Sequence, residues 1–386
     1  MSETVIADTP ELPPGPDPER QATARRYGRL QRRTYLLELL TGTGAILAWW
    51  LAGGGRAVAQ ATPGPTPAVA VVAALALGGA YALATVPFDW YRGHLLPQRF
   101  KLSVQPLRGW LGQRVKAAAV AGPLALGLVA FTYWALGSFP SYWWLLVAAL
   151  LFGASVLLTN LTPVLLVPLF FRMTPLPEGA VRRRLLDLAE RLGMPAGGVY
   201  VIHLGARTTA ANAAVMGLGR TRRIVLGDTL LDRYTMEEIE AVMAHELGHH
   251  LRGDVPRSIA FQGVLALASL GLLHLAWRGV AVPLGLEGLD DPAGLPVLAL
   301  LLGGLGLLLS PLEKGYSRWV EAAADRFALR ATGEPRAFIS MLARLHDQNL
   351  SEARPPRWAE LLLWDHPPYY RRVAAAQRQL TAPGPA

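Results

Sequence analysis

His245-Glu246-Leu247-Gly248-His249 is the stretch whose residue types and spacing could do chemistry. An α-helix turns once every ~3.6 residues, so imidazoles four apart share a face and can each give a ring nitrogen to one metal ion. Glu246 beside them is placed to hold and deprotonate a metal-bound water. The pattern is short, however, and two histidines leave a catalytic zinc one protein ligand short. Ser317-Arg318-Trp319-Val320-Glu321-Ala322-Ala323-Ala324-Asp325 offers the missing group. Glu321 and Asp325 are again four apart, so one face presents a carboxylate ligand with a second carboxylate one turn on. Asp325 suits the outer shell, accepting the far N–H of a ligating imidazole. The expectation is one Zn2+ per chain on His245, His249 and Glu321. The chain has no cysteine, which excludes disulfides, thiol catalysis and a thiolate-ligated zinc.

These groups need elements to carry them. Thr235 followed by Glu238 has the spacing of a capping box, and Met236, Ile239, Val242 and Met243 form a helical apolar face leading into the histidines. Between His249 and Glu321 lie two apolar stretches, about Ile259 to Trp277 and Leu295 to Leu309, joined by a turn carrying Glu287, Asp290 and Asp291. Each approaches the ~20 residues of a membrane helix. A hairpin of two spans returns the chain to the face it left. At ~1.5 Å per helical residue, His249 and Glu321 then lie within ~10–18 Å of the same membrane surface, where a shared metal is easily made.

Composition agrees: 52% of residues are hydrophobic, 17% are charged and mean hydropathy is +0.28, which describes a membrane protein. Four further spans precede the zinc helix, at about Tyr35–Leu51, Ala68–Val86, Ala117–Leu136 and Tyr142–Phe171. The last is too long for one straight span, and Asn160, Pro163 and Pro168 predict a kink. The net charge of +9 is not spread as a nucleic-acid surface. Basic residues crowd the N-terminal segment (Arg20, Arg25, Arg26, Arg29, Arg32, Arg33), the connection after span two (Arg92, Arg99, Lys101, Arg108, Arg114), and the regions after spans four and six. Positive residues stay on the cytoplasmic side, so both termini and the zinc site are expected there, in a multi-pass protein of a bacterial inner membrane. The polar, Pro-rich start carries no secretory signal, and residues 1–33 read as a disordered basic segment.

The soluble stretch before the zinc helix reads as a helix over Val181–Leu192 and strands over Val199–His203, Ala213–Leu218 and Arg223–Leu226, the last two joined by a hairpin turn at Gly219-Arg220-Thr221-Arg222. A free strand edge beside a zinc helix would hold an extended polypeptide by its backbone. That makes Asn212 and Ala213 candidate substrate contacts. His366, in Asp365-His366-Pro367-Pro368, and one of Arg371 or Arg372 could stabilise an oxyanion opposite the metal. On the residues alone, His-Pro-Pro is more often a loop, and Asn212 a turn residue. The other histidines carry no such constellation: His250 lies off the ligand face, and His274, inside a span, reads as a hydrogen-bonded core residue.

From about span two to Arg372 the chain resembles the type I CAAX prenyl endopeptidases, integral-membrane zinc proteases. The resemblance runs through Pro168-Leu169-Phe170-Phe171, Thr174-Pro175-Leu176-Pro177-Glu178-Gly179, Asn212 with Gly217, Arg223-Ile224-Val225-Leu226-Gly227-Asp228-Thr229-Leu230-Leu231, HELGH, SRWVEAAAD and His366-Pro367-Pro368. It implies His245, His249 and Glu321 as zinc ligands, Glu246 as general base, and Asn212, His366 and Arg372 as substrate or transition-state contacts. The chain lacks one N-terminal span and a long insertion seen in eukaryotic members. Its Arg-, Ala- and Gly-rich usage looks prokaryotic, and prokaryotes generally lack prenylated CAAX proteins. HtpX-type heat-shock proteases are therefore an alternative analogue, and a non-enzymatic membrane scaffold the rival from another class. The expected fold is mainly α and polytopic, with about six transmembrane helices and a small α+β gluzincin-like zinc protease domain on the cytoplasmic face. Its expected divisions are 1–33, a four-span region 34–171, a protease subdomain 172–256, a two-span hairpin 257–314 and a C-terminal part 315–386. The expected partners are a polypeptide, lipidated or not, and membrane lipids, with no nucleic acid.

Overall fold

The structure, a computed structural model, describes residues 12–217, 222–281 and 283–381. Five helices are long and apolar enough to cross a membrane: α3 (Thr66–Arg99), α4 (Leu107–Ser138), α5 (Trp143–Phe170), α8 (Asp254–Val280) and α9 (Leu295–Thr332). A sixth span arises if α1 (Pro18–Leu51) and α2 (Gly54–Ala61), bent by 58° at their junction, are taken together. Exposed side chains such as Leu83, Val164, Val264, Leu275 and Leu308 face outward from these helices, as lipid-facing residues must. Where a kink was expected the helix departs from α geometry: a π-turn at Thr162–Leu166 carries Pro163, whose ring cannot donate to the helical ladder. The spans pack on a core that includes Tyr133, Leu136, Trp143, Leu270 and Trp277. Within it His274 accepts from Trp143 Nε1 at 3.0 Å, the bland role expected for it.

The expectation of disorder over residues 1–33 is corrected from Pro18 onward. The Asp17 side chain accepts from Arg20 N at 2.7 Å, and Pro18 occupies the first turn, so α1 begins well before its apolar part. Tertiary contacts then hold this polar extension. Arg20 donates to Asp347 O at 2.8 Å, Gln21 spans Asp347, Ser351 and Ala353, and Arg32 pairs with Glu352 at 2.6 Å. None of these partners is near in sequence, which is why composition alone suggested a loose arm.

The protease subdomain holds a four-stranded sheet in the order β1 (Met173–Pro175), β2 (Val199–Ile202), β4 (Arg223–Gly227), β3 (Ala213–Met216). β1 and β2 are antiparallel, β2 and β4 parallel, β4 and β3 antiparallel. The chain leaving β2 therefore crosses to the far side, and β3 becomes an edge. The expected hairpin turn at 219–222 falls largely on residues outside those described. Helix α6 (Ala180–Arg191) covers the sheet through Leu185 and Leu188. The zinc-motif helix α7 (Met236–Leu251) carries the expected capping box, with Glu238 N donating to Thr235 and Thr235 N to Glu238. It packs against β3, α6, α9 and α10 (Pro335–Gln348) in one core that includes Leu226, Met243, Leu247 and Phe338. The chain ends in α11 (Arg357–Leu363) and α12 (Tyr369–Thr381).

Candidate metal centre

Helix α7 delivers His245 and His249 from its last two turns, and α9 delivers Glu321 and Asp325 from the end that has left the apolar stretch. Gly248 is what lets the two helices meet: a Cβ there would lie 2.8 Å from Phe327 Cδ1. Beyond α7, Gly253 at φ 66° takes a left-handed turn and starts α8 at Asp254.

Three ligand atoms converge. His245 Nε2 lies 3.3 Å from His249 Nε2 and 3.2 Å from Glu321 Oε2, and His249 Nε2 lies 3.5 Å from Glu321 Oε1. Atoms on a tetrahedral zinc at ~2.1 Å would be about 3.4 Å apart, so the spacing fits. The far nitrogens are held separately: His245 Nδ1 is 2.9 Å from Asp325 Oδ1, and His249 Nδ1 is 3.1 Å from Asp254 Oδ2. The His249 Nδ1 proton is turned to Asp254, and the Nε2 atoms of both histidines face one another and Glu321, a spacing that suits a cation between them. Glu321 Oε2 is buried with no hydrogen-bond partner among the described residues, as a group awaiting a metal would be.

The electrostatics say the same. Burial opposes charge on His245, but Asp325 and Glu321 outweigh it and raise the imidazole to about 10, so the surrounding carboxylates favour positive charge at this point. On His249 burial prevails, with positive His245 adding to it, and the pKa is lowered. Glu246 is raised, chiefly by burial, which brings a general base nearer to neutral pH.

Of the other expected site residues, Asn212 and Ala213 line the same cleft, as do His366 and Asp365. His366 Nε2 lies 3.3 Å from Glu321 Oε2 and the ring is 55% exposed to the cleft. Arg372 is placed differently from the expectation of a carbonyl contact. Its Nε and Nη2 donate to Asp325 at 2.8 and 2.6 Å, its side chain is only 11% exposed, and it is not among the residues lining the cleft. Asp325 thus stands between Arg372 and His245. The cleft, about 710 Å³, continues from the metal-ligand cluster to Ser155 and Thr159 on α5, Phe261 and Gln262 on α8, and Tyr316 on α9.

Asp254 escaped the sequence reading because it lies five residues beyond His249, off the helical period; only the tight turn at Gly253 brings it back. The contact of His250 with the Val215 carbonyl, 2.9 Å from Nε2, was also missed, having no signal beyond its position.

Fold and site together define a membrane-embedded metallopeptidase. Residues 175–380 match the model of peptidase family M48, and residues 10–172 match that of the CAAX prenyl protease N-terminal region, described as five membrane helices. The chain belongs to peptidase family M48. It is 29% identical over 305 residues to the uncharacterized metalloprotease YhfN of Bacillus subtilis, covering 78% of this chain and 71% of that one. It is 27% identical over 316 residues to CAAX prenyl protease 1 of Saccharomyces cerevisiae, covering 76% and 68%. The crystal structure of S. mikatae Ste24p superposes with a TM-score of 0.84 at 22% identity, over 96% of this chain and 92% of that one, and shows the same fold. The chain is a multi-pass membrane metalloprotease, and its family implies a metal ion, for which the His-His-Glu group is present, and a polypeptide substrate. The non-enzymatic scaffold is thereby set aside, and the HtpX-type alternative is not better supported than the CAAX-protease likeness.

Proposed function

We propose that the protein is a zinc endopeptidase that cleaves extended polypeptides, lipidated or not, at the cytoplasmic face of a bacterial inner membrane, in the manner of a CAAX prenyl protease. The observation that carries this reading is the convergence of His245 Nε2, His249 Nε2 and Glu321 at tetrahedral spacing, each imidazole braced by its own carboxylate. Bound zinc would be held by His245, His249 and Glu321, and would supply Lewis acidity that lowers the pKa of water towards ~7. Glu246 takes the proton from the attacking water and passes it to the leaving amine. His366, on the open side of Glu321, donates to the oxyanion that develops at the scissile carbonyl. Asp325 fixes the tautomer of His245, and Arg372 holds Asp325 in place. Asn212 precedes, and Ala213 opens, the edge strand that orients the chain to be cut.

The continuity of the cleft with α5, α8 and α9 supports a substrate arriving from beside the membrane. The test is cleavage by the purified protein of matched prenylated and unmodified peptides, with Glu246→Gln as the control. Cleavage by the wild type and none by Glu246→Gln is expected. Preference for the prenylated peptide would assign a lipidated substrate, and equal cleavage at scattered sites would assign quality control. A wild type that cleaves neither peptide contradicts the reading. Reporter fusions at the C-terminus and in the turn at 287–291 should report opposite sides of the membrane; a C-terminus outside the cytoplasm overturns the orientation.

A further inference from the structure

We infer that the edge strand β3 offers a substrate only two backbone hydrogen bonds, the Ala213 carbonyl and the Val215 N–H, because His250 and Asn212 occupy the other two outward groups. This rests on the proposed hydrolysis of extended chains and deepens it by fixing how the chain is paired.

The parity of the strand is set by its partners. Gly227 N donates to Asn212 O at 2.8 Å, so Asn212 faces β4, and the antiparallel register pairs Ala214 with Val225 and Met216 with Arg223. Ile224 N donates to Gly198 O, which turns Ile224 and Leu226 to β2 and leaves Arg223, Val225 and Gly227 facing β3. Ala213 and Val215 therefore direct their amides away from the sheet, toward the cleft they line with His245, Glu246 and His249. Such an edge would present two donors and two acceptors. Asn212 Oδ1 accepts from Ala213 N at 2.9 Å, and His250 Nε2 donates to Val215 O at 2.9 Å. Among the described residues nothing else engages the two groups between them.

His250 leaves the helix one residue past the second metal ligand, on a different face, and reaches across to the strand. It thus ties α7 to β3 and shortens the pairing edge at once. An edge left fully open would be a template for any strand; one closed at both ends admits a short extended stretch, directly beside the metal site. His250 is in this account a positioning and register-setting residue that takes no part in proton transfer.

The test uses the full-length, metal-loaded Glu246→Gln protein in detergent and a fluorescent peptide in which each backbone amide in turn is replaced by an ester, removing one N–H. Anisotropy titrations should find one amide, that facing the Ala213 carbonyl, whose loss weakens binding by about 2–10-fold, the net worth of one hydrogen bond. Adding His250→Ala frees the Val215 carbonyl, and a second sensitive amide should appear two residues from the first, since outward carbonyls recur every second residue of a strand. His250→Leu, which fills the space without a donor, should behave like His250→Ala. His250→Gln, which keeps a side-chain N–H, should keep the single position. A purely structural histidine would weaken all peptides alike. An unchanged scan in His250→Ala and His250→Leu, or two or more sensitive amides in the parent, overturns the inference. Absence of cleavage by the wild type would instead count against the hydrolytic reading itself.

Discussion

The two helices that share the metal site are specified in opposite ways. Helix α7 has 16 residues, is capped by Thr235 and Glu238, and is buried along most of its length in the protease core. Helix α9 has 38 residues, begins as a leucine-rich span with Leu302, Leu307 and Leu308 exposed, and becomes buried again only from Val320 onward. Glu321 sits at that transition. One half of the site is thus fixed by local capping and the protease core, the other by how far a membrane helix projects from the span. The two helices must be held in register for their ligands to converge, and Gly248 against Phe327 is the contact where they meet.

The contrast is broken most severely at the ligands. His245→Ala, His249→Ala or Glu321→Ala should each abolish stoichiometric zinc, whereas Asp325→Asn and Asp254→Asn should weaken it by ~10–100-fold while leaving the ligand set intact, as titration against a chelator would read. Gly248→Ala attacks the meeting point without touching a ligand. The added methyl crowds Phe327, which should cost about 1–3 kcal/mol by thermal or denaturant unfolding in detergent, and lower zinc affinity with it. Thr235→Ala removes the cap of α7 alone, for about 0.5–2 kcal/mol, and should leave the helical spans unaffected by circular dichroism. The effect confined to the narrowest conditions is a pH dependence of the protease core. His346 is buried against Tyr369 with Nδ1 donating to Leu342 O, and burial lowers its pKa from 6.5 to about 4. Its neutral form therefore contributes stability present in full above pH 6.5 and lost as pH falls toward 4. His346→Gln should flatten the unfolding curve in that window; an unchanged slope would mean that other groups set it.

What could be read from the chain follows the same division. The capping box, the ligand face of α7, the spans and the π-turn at Pro163 are encoded within a few residues, where helical periodicity and proline chemistry act directly. Helix α6 and strands β2, β3 and β4 were legible to within about two residues at each end, as alternation and breakers allow. Strand β1, only three residues ending in Pro175, had too short a pattern to see. Asp254 bracing His249, Arg372 spent on Asp325, and α1 docked on Asp347 and Glu352 join positions remote in sequence or thrown together by one left-handed glycine. No local period announces such contacts. The ligands were readable because metal chemistry imposes spacing; their supports were not, because a carboxylate can approach an imidazole from any element.

The central claim is that one zinc is held by His245, His249 and Glu321, with Asp325 outside the ligand set. Metal analysis of the purified wild type beside Glu321→Ala and Asp325→Ala tests it most directly. The account predicts about one zinc per chain in the wild type, none retained by Glu321→Ala, and weakened but measurable binding in Asp325→Ala. Zinc kept by Glu321→Ala and lost from Asp325→Ala would contradict it and exchange the two roles.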